Sequence, residues 1–234
     1  MSNQERAISI AERYRQLSDL PPDIAVFPLR GAILMPRIAL PLNIFEPRYL
    51  EMVEDAMRGD RLIGMIQPLQ AVDDTESPAG KSTPLRRTGA AGRITSYAET
   101  DDGRYLITLT GVCRFALVHE LETDRAYRRC AVEFGGFVSD LNAGTGEDDV
   151  DRSHLLKVLK TYLDANELKA DWQSIHRSSN EFLVNTLSMI SPYGPEEKQA
   201  LLEAATLKDR AEVLVALAEM QLAARDDGSG SALQ

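Results

Sequence analysis

Residues 40–57 read LPLNIFEPRYLEMVEDAM and join two kinds of local structure without a spacer. The first part is an apolar, strand-like run containing Pro41, which excludes a helix there. Pro47 suits the first position of a helix, and Glu46 before it is a candidate N-terminal cap. The apolar residues that follow predict a helix of about three turns that ends at Gly59. They are Tyr49, Leu50, Val53, Ala56 and Met57.

The segments on either side of this junction predict short antiparallel strands. Pro28 and Pro36 interrupt the apolar run before it, and RLIGMIQPL after it is typical of a buried strand. GRITSYAE and RYLITLTGV flank Asp102-Gly103, a dipeptide suited to a tight hairpin with positive φ. CRFALVHEL and RRCAVEFGGF continue the alternation, so we expect six or seven strands and one helix in residues 24–138.

The remaining segments set the predicted domain boundaries. Residues 1–23 have helical spacing and predict an N-terminal arm, and residues 70–92 are polar and rich in Gly and Pro, which predicts a long surface loop. Residues 139–152 predict a linker, residues 153–225 a bundle of four helices, and residues 226–234 a disordered tail. The fold class is therefore predicted as α+β, with a β subdomain followed by an α-helical bundle.

The composition excludes several functional classes. A hydrophobic fraction of 44% over 234 residues supports a core, and no apolar run is long enough to span a membrane, so we expect a cytoplasmic protein. The net charge of −10 lies mostly in residues 137–234, where 9 Lys and Arg face 17 Asp and Glu, which disfavours nucleic-acid binding. Two Cys and three separated His predict no disulfide framework, bound metal or cofactor.

Three candidate catalytic groups fail on physical grounds. The GKS at residues 80–82 lacks the first glycine of a phosphate-binding loop, since Thr75 stands there, and acidic residues precede it. Ser77 and Lys81 would need burial to act as a nucleophilic dyad, which a polar loop does not provide. The carboxylates on the predicted helix, Glu51, Glu54 and Asp55, oppose its apolar stripe and predict a solvated face, with Arg58 as the helical partner of Glu54. No catalytic residue is expected.

Several elements, in order and at matching spacing, resemble the N-terminal substrate-recognition domain of Lon proteases. They are the Pro-Leu pairs, IFEPRY, DGRY and GVCRF, and the resemblance extends over about residues 24–225. It implies a small, distorted antiparallel β-barrel of the pseudouridine-synthase-associated (PUA-like) type, crossed by one helix and followed by a helical bundle. In full Lon proteases this unit precedes an ATPase module and a Ser-Lys peptidase domain, and it helps to hold unfolded or tagged proteins. Because the sequence contains neither motif, it resembles the stand-alone members of the family, and we expect no proteolysis or ATP hydrolysis.

The resemblance and the rigid junction together predict a surface that binds exposed apolar segments of unfolded or flexible proteins. The candidate peptide-binding residues are Met35, Pro36, Leu42, Phe45, Glu46, Arg48 and Tyr49. Two other functions stay open from the sequence. One is an adaptor that docks on a protease, a chaperone or another folded partner through its acidic helical half. The other is an enzyme with a small-molecule cleft, for which Arg30, Arg93 and Arg114 are the first residues to inspect.

Overall fold

The structure is a computed structural model that describes residues 13–69 and 83–230, with side chains described as far as residue 224. These residues form two compact units, one within Met1–Ala143 and the other within Gly144–Gln234. The first dozen residues of the predicted arm, and the GKS and Ser77–Lys81 candidates, lie outside the described residues.

The first unit contains a mixed sheet and one α-helix within the described residues. The helix, α1, spans Pro47–Arg58 and packs on β1 and β3. The strands are β1 (Asp23–Pro28), β2 (Ala39–Ile44), β3 (Leu62–Pro68), β4 (Leu85–Glu99), β5 (Tyr105–Leu121) and β6 (Arg128–Glu133).

The strand pairings close on themselves in a ring. The order is β2-β5-β4-β3-β1-β6, and β6 pairs again with β5. One edge of β5 pairs with β4, whereas the other pairs with β2 near its start and with β6 near its end. The prediction of a wholly antiparallel sheet was wrong at one place, because β1 and β3 are parallel, with Val26 opposite Gly64. The chain between them runs through β2 and α1, a connection long enough to return it to the same end of the sheet.

The predicted loop at residues 70–92 is replaced from Leu85 onward by the first half of β4. A Cβ added to Gly89 would lie 2.5 Å from the ring of Phe115, and one added to Gly92 would lie 2.5 Å from a methyl group of Leu34. The glycines that suggested a loop are therefore places where bulky core side chains approach the strand backbone. Phe115 itself is fully buried.

The predicted hairpin is present, with Gly103 at φ +78° between β4 and β5. The structure differs from the prediction after this point, since RYLITLTGV and CRFALVHEL form one strand of 17 residues rather than two. The buried stripe of α1 also differs, because Met52 joins Tyr49 and Val53 in the core, while Leu50 and Met57 are only half-buried.

The start of the predicted linker belongs to the first unit. A 3-10 helix at Gly135–Leu141 brings Asp140 against Arg114 of β5, and both side chains are buried, at 7% and 3% exposure. The Asp140 carboxylate accepts hydrogen bonds from the Arg114 Nε and Nη2 atoms, each at 2.9 Å, and from the Arg114 backbone N–H at 3.0 Å. The guanidinium carbon of Arg114 also lies 4.7 Å from the centre of the Phe137 ring. This buried pair fixes the segment that follows β6 onto the sheet.

The second unit is helical. Its helices are α2 (Arg152–Ala165), α3 (Trp172–Arg177), α4 (Asn180–Ile190), α5 (Pro195–Glu203) and α6 (Leu207–Gly230). Helices α2, α4 and α5 pack on α6. The rest of the predicted linker carries a short 3-10 helix, Glu147–Asp149, and the Glu147 carboxylate accepts a hydrogen bond from the backbone N–H of Glu181 at 2.7 Å.

Three features of this unit differ from the prediction. Helix α3 is an additional short helix, with Asp171 as its N-terminal cap. Helical spacing in the sequence favours Phe182 and Ile190 for the buried face of α4, but they are 52% and 69% exposed, and Val184 and Ser188 are buried in their place. Helix α6 extends to Gly230, five residues beyond the predicted end at 225. No helix in the described part of the chain is long and apolar enough to cross a membrane.

Candidate functional site

The junction between β2 and α1 is flanked by Pro41 and Pro47 and contains an ion pair that is local to it. Glu46 occupies the N-cap position in an extended conformation, but its side chain makes no capping hydrogen bond. Instead its carboxylate accepts from Arg48 Nε at 2.9 Å, and the Arg48 guanidinium carbon lies 4.6 Å from the centre of the Tyr49 ring. Glu46 therefore occupies the predicted cap position, but its side chain does not make the hydrogen bond of a helix cap. Both charged side chains keep about two fifths of their surface exposed.

An apolar surface lies on the outward side of β2, β5 and β4. Pro41 and Asn43 of β2 are exposed, and Asn43 is opposite Leu106 of β5, which is opposite Ala98 of β4. Residues opposite each other on paired strands project to the same side. Phe45 continues the outward alternation of β2 and lies 5.8 Å from the guanidinium carbon of Arg104. The outer patch is defined here as Pro41, Phe45, Ala98 and Leu106.

Two members of the outer patch are large and well exposed, Phe45 at 61% and Leu106 at 47%. Phe45 was predicted, whereas Leu106 was missed. The signal for Leu106 is present in the sequence, because Tyr105, Ile107 and Leu109 alternate as one buried face and leave Leu106 on the other. The polar side chain of Asn43, opposite Leu106 and two residues before Phe45, also lies on this face of the sheet.

The other predicted contact residues are distributed between the surface and the core. Leu42 is half-buried opposite Ile107. Met35 and Pro36 are buried, because the chain there passes close against Gly111, where an added Cβ would lie only 2.0 Å from the Met35 carbonyl oxygen.

Tyr49 is also in the core, 7% exposed, with its ring centre 4.4 Å from that of Phe27. The predicted set therefore divides into two groups. Leu42, Phe45, Glu46 and Arg48 have accessible surface, whereas Met35, Pro36 and Tyr49 support the backbone from inside.

The acidic face of α1, predicted to be solvated, is held to the sheet by tyrosines. The Tyr105 hydroxyl donates to Glu54 at 2.9 Å, and the Tyr127 hydroxyl donates to Asp55 at 2.9 Å. The hydrogen bond to Glu54 and, secondarily, burial raise the pKa of Tyr105. Burial and then the bond to Asp55 raise the pKa of Tyr127. The predicted pair of Glu54 with Arg58 also forms, at 3.0 Å. Helix α1 is thus fixed on both its apolar and its acidic sides.

Two of the three arginines proposed for an enzymatic cleft, Arg93 and Arg114, have structural partners. Arg114 belongs to the buried pair with Asp140, and Arg93 donates to the Asp60 carbonyl at 2.5 Å. Burial raises the pKa of the Cys113 thiol to about 12 and that of Cys130 to about 11, so both thiols are protonated at neutral pH. Among residues 13–69 and 83–224, no three His, Cys, Asp or Glu side chains are grouped as metal ligands.

Comparison with known proteins agrees with this arrangement. Residues 23–219 match the family model of the ATP-dependent protease La (LON) substrate-binding domain. A Lon protease of Parabacteroides distasonis is 31% identical over 198 residues, which is 80% of this chain and 22% of that protein. The chain spans about a quarter or less of the length of the Lon proteases it matches.

Two solved structures share the fold. A Lon N-terminal domain protein from Xanthomonas campestris superposes with a TM-score of 0.58 at 21% identity, covering 83% of this chain and 97% of that one. The N-terminal domain of a Mycobacterium avium complex Lon protease gives a TM-score of 0.61 at 15% identity, with coverages of 84% and 98%. The family match, which runs through both units from β1 to α6, shows that this chain belongs to the LON substrate-binding domain family.

Proposed function

We propose that this chain is a non-catalytic protein-binding module that holds exposed apolar segments of unfolded or flexible client proteins on the outer patch. The observation that carries the proposal is the exposure of Phe45 and Leu106 on one face of the sheet. Large apolar side chains that are exposed side by side on a surface commonly mark a site of contact with another protein. The family to which the chain belongs supports the same conclusion.

Side-chain contacts, rather than strand addition, provide the affinity in this proposal. Strand β2 pairs only with β5 within the described residues, so its other side is a sheet edge. Pro41 lies in the middle of β2 and has no backbone N–H, which hinders a client strand from pairing along that edge. A client must therefore approach the face of the sheet and not its edge.

The expected affinity is weak. Full burial of a Phe or Leu side chain contributes about 1.5–3 kcal/mol, and association costs several kcal/mol. Two such side chains give at most about 6 kcal/mol before that cost, so the binding of one client segment is weak and broad. Micromolar capture requires several client segments to be held at once. Glu46 and Arg48, at the border of the patch, contribute little because they remain solvated.

The test is a binding titration with a reduced and alkylated protein that cannot refold, alongside the same protein in its folded form. We expect the unfolded form to bind and the folded form not to bind. The double substitution Phe45→Ser with Leu106→Ser should weaken binding about ten-fold or more, since it removes the two large apolar side chains of the outer patch. Val118→Ser is the matched control, because Val118 is 51% exposed on β5 outside the patch. Equal affinities for the double variant and the control would refute the proposal.

Two finer assignments belong to the same proposal. We infer that the ring of strands is a PUA-like barrel, supported by its closed pairing and by the helix packed against it. We also infer that the protein acts in the cytoplasm, supported by its charged surface and by the two protonated, buried thiols.

A further inference from the structure

The helical unit contains an apolar cavity that is separate from the outer patch. Its volume is about 160 Å³, and its walls come from α2, α4, α6 and the turn after α4. Leu159 and Tyr162 form the buried wall, while Leu168 and Ile190, 53% and 69% exposed, stand at the rim. An apolar cavity of this size accepts a benzene-sized group, so it can take one bulky apolar side chain.

A second recess adjoins the cavity and is acidic. Leu155 and Val215 line both recesses, so the two recesses are neighbours. The second recess, here called the acidic groove, is lined by four carboxylates, Asp149, Asp151, Glu212 and Glu219, and by His154 and Lys208. Its closest internal ion pairs are long, 3.7 Å between His154 and Glu219 and 3.9 Å between Lys208 and Glu212. The groove therefore has excess negative charge beside an apolar opening.

We propose that the helical unit binds an amphipathic, cationic segment of another protein, placing a bulky apolar side chain in the apolar cavity and neighbouring Lys or Arg residues in the acidic groove. Charge complementarity selects this occupant over an uncharged or acidic apolar peptide. The site is independent of the outer patch and goes beyond the proposed function, because it adds a charge preference that the patch lacks.

Binding is measured by fluorescence anisotropy on the full chain, with a short labelled peptide in which Leu and Lys alternate at helical spacing. Two comparison peptides replace Lys by Glu, or Leu by Gln. We expect the Leu–Lys peptide to bind at least about ten-fold more tightly than either, and its affinity to fall as salt is raised. Equal binding of the Leu–Glu peptide would overturn the charge assignment.

The variants probe the two recesses separately and leave the fold intact because all the altered side chains are exposed. Ile190→Ser should weaken binding of the Leu–Lys peptide about ten-fold, since it removes the more exposed of the two apolar side chains at the rim. Phe182→Ser is the control for it, as Phe182 is 52% exposed on the same helix but does not line the cavity. Similar losses in both variants would overturn the apolar assignment.

The paired substitution Glu212→Gln with Glu219→Gln should weaken binding several-fold at low salt and have little effect at high salt. Glu167→Gln with Glu203→Gln removes the same charge from the unit outside the groove, and should leave the affinity within about two-fold. Equal effects of the two pairs would show general attraction to an acidic unit and would refute the groove.

The outcomes also separate this inference from the proposed function. Capture of the unfolded protein without binding of the Leu–Lys peptide refutes the helical site alone. If the double variant Phe45→Ser with Leu106→Ser still binds the Leu–Lys peptide, the helical site is supported. If that variant no longer binds the peptide, the peptide binds at the outer patch and the inference is overturned. Self-association that Ile190→Ser abolishes, without peptide binding, would identify a second copy of the chain as the occupant and would also refute it.

Discussion

Replacing Asp140 by Ala should destabilise the first unit severely. The substitution removes the carboxylate that accepts three hydrogen bonds from Arg114, and leaves a guanidinium group with 3% of its side chain exposed. Removal of one partner of a buried ion pair costs about 3–5 kcal/mol, because the remaining charge has lost both its counter-charge and its water. Since domains are stable by about 5–15 kcal/mol, the loss would be a large part of the total.

Urea unfolding followed by far-UV circular dichroism measures this loss. The chain has a single tryptophan, Trp172 in the helical unit, so its fluorescence reports the other unit in the same experiment. Asp102→Ala is the matched control, as Asp102 also pairs with an arginine, Arg104, but both side chains are at least half exposed. That control should not shift the midpoint resolvably.

A double substitution completes the test. Asp140→Ala combined with Arg114→Met also removes the buried guanidinium charge, so the double variant should be more stable than Asp140→Ala alone. The reasoning is refuted if Asp140→Ala costs less than about 1 kcal/mol, or if the effects of the two single substitutions simply add.

Three other predictions concern the core of the first unit. Gly111→Ala should cost about 2 kcal/mol or more, because the new Cβ would lie 2.0 Å from the Met35 carbonyl oxygen, whereas Gly135→Ala, with no atom within 4 Å of its Cβ, should be close to neutral in the same unfolding assay. The thiols of Cys113 and Cys130 should react with a disulfide reagent at pH 8 only after unfolding, and rapid reaction of the folded protein would contradict their burial. Because burial raises their pKa to about 12 and about 11, the stability they contribute is complete below pH 9 and is lost as the pH rises from 9 through those values.

The parts of the fold that were predicted correctly have local signals in the sequence. Asp102-Gly103 specifies a hairpin because Gly103 adopts positive φ at no steric cost. Pro47 specifies the start of α1 because the backbone N–H groups of the first helical turn have no partner within the helix, so a proline there loses no hydrogen bond. Both features depend on a few adjacent residues. A single sequence is sufficient to identify them.

The parts that were not predicted depend on residues far away in the chain. Gly89 and Gly92 suggested a loop, although they are small because Phe115 and Leu34 pack against their backbone. Asp140 was placed in a linker because its neighbours are polar, and its partner Arg114 lies 26 residues earlier.

The residues of the candidate site likewise divide into one that the sequence identifies and others whose exposure depends on distant parts of the chain. Phe45 stands out in the sequence as an apolar residue at a strand end, and the structure exposes it. Met35 and Tyr49 have similar chemistry and are buried, since exposure depends on how Gly111 and Phe27 approach them. Composition alone does not distinguish these cases.

The ring of strands has a consequence for how the protein is made. Strand β1 pairs with β6, with Asp23 opposite Ala131, and the ion pair of Asp23 with Arg129 joins residues 106 positions apart. A ribosome must therefore synthesise nearly the whole first unit before its first strand can find the last one. Until then β1 can pair with β3 along one edge, while the backbone N–H and C=O groups along its other edge have no strand partner. The nascent chain is most open to aggregation in this interval, and a chaperone would be most useful then.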